Sequence, residues 1–175
     1  MSVEKAAYRV LIQDGNFELR LYEPMVVVTS RESDLSGGNG FDRLFNYING
    51  NNQRSQKIAM TAPVIDKLDG QQSTTSFVMP SHMSMADLPL PNDSALTPGE
   101  INARQVATIR FPGTINAREL DNKRAELGDW LKRKGLRPLG PMELARYNAP
   151  YVPPFARRNE LMVEVEPTSE PTSYL

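Results

Sequence analysis

Side chains able to do chemistry are few. The chain has no cysteine and one histidine, His82. Thiolate zinc sites, iron–sulfur clusters, disulfides and cysteine nucleophiles are thereby absent. A serine triad would need His82 as its base, from a loop between Pro80 and Pro89. No GxSxG, HExxH, GxxxxGK[ST] or GxGxxG run occurs. Gly37-Gly38-Asn39-Gly40 precedes an expected helix whose free amides could meet a phosphate. Without a P-loop lysine, the plainer reading is a flexible loop leading into that helix. Glu164 and Glu166 stand two apart on one strand face, where solvated acids are far commoner than a glycosidase dyad. For proton transfer the candidates are Glu160 or Glu143 as carboxylate base, with Tyr147 as a partner. Met60, Met79, Met83 and Met85 are thioethers that more often fill irregular cores.

The 175 residues fit one ordinary domain. Apolar residues make up 39% before the glycines are counted, enough for a core. Twenty basic against 21 acidic side chains give a formal charge of -1, which supplies no polyelectrolyte attraction for nucleic acid. No run of about 18 apolar residues is present to span a membrane as a helix. Residues 1–7 lack the charged start and apolar stretch of a signal peptide, so the chain as written is expected in the cytoplasm. It would be periplasmic or exported if a leader had been removed.

These residues need elements to position them. Residues 8–12 and 17–22 read as strands around Asp14-Gly15, a pair suited to a type I′ hairpin turn. In Phe17-Glu18-Leu19-Arg20-Leu21-Tyr22, apolar and charged residues alternate, as in a half-buried strand. Residues 25–30 form a third strand. Phe41, Leu44, Phe45 and Ile48 recur at helical spacing, predicting a helix over 41–48 closed by Gly50. Residues 57–65, interrupted by Pro63, read as an edge or bulged strand, and 74–79 as another. A proline-rich loop spans 80–98, and 105–111 is extended. Residues 117–134 form the longest helix, with Leu120, Leu127, Trp130 and Leu131 inward and Gly135 as its stop. Its Lys132, Arg133 and Lys134 complement the dipole more readily than they make a nucleic-acid patch. Strands follow near 143–147 and 160–166. Strand–helix–strand–strand thus occurs twice, over 25–79 and 105–166. The expected fold is α+β: a curved antiparallel sheet approaching a barrel, flanked by two helices and related by an approximate twofold.

Several short blocks, in order, resemble the SOUL heme-binding protein family. Lys57-Ile58-Ala59-Met60-Thr61-Ala62-Pro63-Val64 follows residues 41–52, which resemble that family's helix and turn. The 17–22 strand, Phe77-Val78-Met79-Pro80, Leu88-Pro89-Leu90-Pro91, Phe111-Pro112-Gly113 and Arg157-Arg158-Asn159-Glu160 continue the match. The resemblance covers about 8–166. It implies a distorted β-barrel with two helices from a duplicated unit, here one domain over 8–166 between a flexible 1–7 and a disordered 167–175. It also implies binding of heme or a porphyrin in a groove beside the first helix, for buffering, carriage or sensing.

A porphyrin needs an apolar wall, cations for its propionates and, where iron is ligated, an axial donor. The resemblance places Phe41, Leu44 and Phe45 on the wall with Arg43 beside it. Arg43, Asn46 and Tyr47 lie on the other helix faces and are the better candidates for contact with a groove ligand; Tyr147 and Met162 stand opposite, and Arg157 and Arg158 are within reach of carboxylates. The stripe of Phe41, Leu44, Phe45 and Ile48 reads more readily as the domain core than as a ligand wall. Lys57 could face the ligand, or the segment could serve packing. Some family members carry a histidine where Leu21 stands, so iron ligation from that position does not transfer, and no metal ligand is assigned; His82 alone remains. The expectation is tetrapyrrole binding without an obligatory axial bond, with no nucleic-acid partner. The alternatives are a hydrolase or isomerase working in the same groove, and a module accepting a partner peptide.

Overall fold

The computed structural model describes residues 3–33, 38–69 and 72–168. In chain order the elements are β1 (Glu4–Lys5), β2 (Tyr8–Asp14), β3 (Phe17–Tyr22), β4 (Met25–Ser33), α1 (Gly38–Ile48), β5 (Thr61–Ala62), β6 (Val64–Asp69), β7 (Gln72–Val78), β8 (Leu96–Ile101), β9 (Arg104–Phe111), α2 (Ala117–Lys134), β10 (Glu143–Arg146) and β11 (Asn159–Glu164). Nine strands form one curled antiparallel sheet in the order β2-β3-β9-β11-β10-β6-β7-β4-β8. With β2 set aside, that order is a palindrome about the β10–β6 junction. Each half supplies strand–helix–strand–strand, β4-α1-β6-β7 or β9-α2-β10-β11. The strand preceding each unit, β3 or β8, crosses to pair with the other half. The duplicated α+β architecture expected from the sequence is therefore the one observed.

Both helices cover the same face. Leu19, Ala107, Ile109, Phe111, Leu161 and Val163 point to α2, whose Leu127, Trp130 and Leu131 are buried against them. Val28, Val64, Phe77 and Leu96 meet Leu44, Tyr47 and Ile48 of α1. Alternation sends Tyr22, Val27, Ile65, Val106, Ala145 and Met162 to the far face, where Ala6 and Tyr8 pack over them. A bulge between Val10 and Ile12 lets β2 serve both faces, Tyr8 on the far side and Ile12 against the α2 core.

Local signals explain most boundaries. The β2–β3 hairpin turns through Gly15 and Asn16, but only Gly15 has positive φ, 58°, so the turn is not type I′. The Asn116 side chain caps α2 by accepting from Glu119 N at 2.9 Å, and Gly135 ends it at φ 66°. α1 begins at Gly38; the Gly37 part of the glycine-rich segment lies outside the described residues.

Three expectations change. Phe45 is 47% exposed, whereas Tyr47 is fully buried, so the inward stripe of α1 is Leu44, Tyr47 and Ile48, with Phe41 at its edge. β6 is central rather than an edge, because Pro63 falls in the break before it and removes no ladder bond there. The end of the proline-rich stretch forms β8, which tolerates Pro98 as an edge strand. At the start, Glu4 and Lys5 pair with Thr61 and Ala62. Near the other end, Thr168 is held by Gln105 through three hydrogen bonds; residues 169–175 lie outside the described residues.

Candidate functional site

The ten residues expected at a binding site divide among three places. Phe41, Arg43, Leu44, Phe45, Asn46 and Tyr47 are on α1. Leu44 and Tyr47 are buried, and the Tyr47 hydroxyl donates to the Pro89 carbonyl at 2.7 Å. Burial raises the Tyr47 phenol pKa. The inward flank of α1 is thus closed by the protein's own side chains. Arg43 donates from one nitrogen to both Asp93 oxygens, at 2.9 and 3.0 Å. Along the stripe at i, i+4 spacing, Phe45 and Asn49 stay exposed, while Phe41 is half-buried with its ring edge-on to Phe77. The two phenyl rings stack with centroids 6.0 Å apart and planes 13° apart. Asn49 bridges to Lys57 through the backbone, so Lys57 stands at the end of this stripe. It is exposed and has no ion-pair partner among the described residues. Asn46 is exposed on the same helix.

Tyr147, Arg158 and Met162 come together elsewhere, on the far face of the sheet. Arg20 and Glu160 form a bidentate pair there at 2.6 and 2.8 Å, with side chains 1% and 0% exposed. Arg158 reaches the same carboxylate at 2.9 Å, donates to the Tyr8 hydroxyl at 2.9 Å and stacks on the Tyr147 ring at 3.8 Å. Arg20 also holds Glu18 at 2.7 Å and the Tyr22 hydroxyl at 2.9 Å. Burial alone would raise the Glu160 pKa, but the arginines outweigh it and hold the carboxyl below the usual range. The Tyr147 hydroxyl, buried without a hydrogen-bond partner, is pushed well above the phenol range by burial, then by Tyr22 and Glu160.

This cluster is built as a counter-ion lattice. A base for catalysis wants a pKa near the working pH, whereas the Glu160 carboxyl is locked as an anion between two guanidiniums. Glu143, the other proposed base, is held by Arg104 at 2.8 and 3.2 Å. Sequence reasoning took the Glu18-Arg20-Tyr22 face as the wet side of a half-buried strand. The signal it lacked was the partner across β9, Glu160, which buries that face.

Arg157 joins neither group. Its guanidinium donates to the Val152 and Pro150 carbonyls at 2.8 Å each, bracing the 150–157 loop. His82 is exposed on the loop beyond Pro80, close enough to Glu4 to act on its charge.

A cleft lies under the N-terminal arm, with a volume of about 380 Å3. Its floor is Met25, Val78, Met79, Met83 and Ile101, and its rim carries Glu4, Lys5, Glu23 and Glu100. It shares no lining residue with the α1 stripe.

The curled, duplicated sheet with two helices on one face is a recurrent scaffold, and the sequence places this chain within it. A family profile described as SOUL heme-binding protein matches residues 3–164, so the chain belongs to the SOUL heme-binding protein family. It is 31% identical over 172 residues to human heme-binding protein 2, covering 90% of this chain and 83% of the relative. The mouse heme-binding protein 2 is 29% identical over 174 residues, with the same coverage. Among solved structures, the EcmrR C-terminal domain superposes with a TM-score of 0.64 at 13% identity, covering 92% of this chain and 99% of that one. A hydrolase from Listeria innocua gives 0.59 at 9% identity, covering 89% and 94%. At those identities the two structures share the fold and nothing finer. No helix of the described residues is long and apolar enough to cross a membrane.

Proposed function

We propose that the protein binds heme or a related tetrapyrrole without enzymatic turnover, acting in tetrapyrrole buffering, carriage or sensing. The observation that carries this reading is the exposed Phe45 stacked on the half-buried Phe41 of α1, in a chain whose family and relatives are named for heme binding. The site residues suit the macrocycle in two respects. The flat phenyl pair offers a stacking wall, and Lys57 offers a cation for one propionate. A bound heme would supply its iron for redox or gas chemistry, but the stripe contributes no imidazole, thioether or phenol to ligate it. Binding on this chain therefore rests on ring contact and charge pairing, and the iron is incidental to affinity. Leu44 and Tyr47 act behind the wall, fixing the helix rather than touching ligand.

Absorbance titration with hemin and with iron-free protoporphyrin, side by side, tests this reading. Both should saturate at one equivalent with similar affinity. Phe45→Ala should weaken both by about tenfold, and Lys57→Glu should weaken both as well. Because Phe45 is half exposed, the first variant keeps its fold, which thermal melting checks. His82→Ala should titrate like the parent. No saturable Soret change, or an unaltered titration in Phe45→Ala, would overturn the assignment.

A further inference from the structure

The cleft under the N-terminal arm has the wrong rim for a dianionic tetrapyrrole. Glu4, Glu23 and Glu100 face one ammonium, Lys5. Glu23 and Glu100 are exposed, and Glu4 accepts from both the backbone and hydroxyl of Ser81, at 3.0 and 2.5 Å. Those two bonds hold the Glu4 carboxyl below its ordinary range, so it stays charged. The other hydroxyl in the lining, Thr61, is already given to the Val78 carbonyl. Nothing besides Lys5 offers an anion a charged donor.

The floor is apolar and adaptable. Met25, Met79 and Met83 are unbranched and polarizable, and thioether sulfurs pack favourably against aromatic rings. One wall is the arm itself, held by the two-residue β1–β5 ladder, the Glu4–Ser81 bonds and the Ala6 amide donating to Ala62 at 2.9 Å. A wall secured so lightly can shift to fit different bodies. The volume lies within the roughly 300–1,000 Å3 range of small-molecule pockets. The three rim carboxylates form no metal-ligating group among the described residues. Their spread suits a diffuse organic charge better than a compact metal ion.

We propose that this cleft binds amphiphilic organic cations, with an apolar aromatic body among the methionines and a delocalised positive charge at the carboxylate rim. This site is separate from the α1 stripe and goes beyond tetrapyrrole binding.

Paired dyes of like shape and opposite charge provide the test. Fluorescence anisotropy of the full chain with rhodamine 123, a cationic xanthene, should rise to saturation, and added salt should weaken it. Fluorescein, the anionic counterpart, should bind at least about tenfold more weakly. The exposed double reversal Glu23→Lys/Glu100→Lys should lose about tenfold for the cation and gain for the anion. Phe45→Ala should leave rhodamine binding unchanged. Equal binding of both dyes, indifference to the double reversal, or loss in Phe45→Ala to the extent seen with hemin would overturn the proposal. A failed hemin titration with rhodamine binding intact would remove only the tetrapyrrole reading.

Discussion

Glu160→Gln isolates the energetics of the far-face cluster. The substitution removes one charge from a place where the acid is fully buried and Arg20 is 1% exposed. Breaking a buried pair costs about 3–5 kcal/mol, mostly because the surviving charge loses its counter-ion. Two features place the expectation at the lower end. Glu18 stays 2.7 Å from Arg20, and the new amide oxygen can still accept one guanidinium hydrogen bond. A loss of about 3 kcal/mol corresponds to about 6–12 °C in Tm for a chain of this length. Urea and thermal unfolding can be followed by Trp130, the sole tryptophan, which is fully buried. Arg20→Met, Glu160→Met and the two together should show a coupling energy of about 2 kcal/mol in the double-mutant cycle.

The pH dependence follows with a definite sign. In the folded protein the Glu160 carboxyl lies below its ordinary value of 4.5, and unfolding restores that value. Its contribution is complete above pH 4.5 and is lost as pH falls through the lower folded value. Glu160→Gln lacks this dependence, so the gap between the two proteins should narrow in acid. A loss within about 0.5 kcal/mol of zero at neutral pH, or a cycle without coupling, refutes the counter-ion account. Hemin binding by Glu160→Gln at neutral pH should match the parent, since the α1 stripe is elsewhere.

Asp14→Ala removes the acceptor of the Trp130 indole N–H, 2.8 Å away. Asp14 is partly wet and water can replace it in part, so urea unfolding should show a loss of about 1 kcal/mol. Asn52→Ala should be costlier, about 2–3 kcal/mol by the same measurement, because Asn52 is 2% exposed and makes four side-chain hydrogen bonds. Those bonds close the loop after α1, so amide exchange in residues 52–57 should accelerate.

Local chemistry made much of the fold legible. α2 spans the expected 117–134 and stops at Gly135 as expected, and the β3 alternation gave its bounds correctly. The repeat of strand–helix–strand–strand foretold the approximate twofold of the sheet. The candidate site was less legible. Helical spacing put Phe45 on the inward stripe of α1 and Tyr47 on another face, and the structure reverses the two. The contacts of Tyr47 with Pro89 and with the α1 core decided it.

The sequence by itself determined both helices and most of the strands, that the unit comes twice, and which family the chain belongs to, because caps, turns and hydrophobic periods act over a few residues. Tertiary structure alone decided that Arg20 meets Glu160, 140 positions away, and that the N-terminal arm walls a cleft with an acidic rim. Such contacts arise only from the order in which strands pair, and strand order is a property of the assembled sheet.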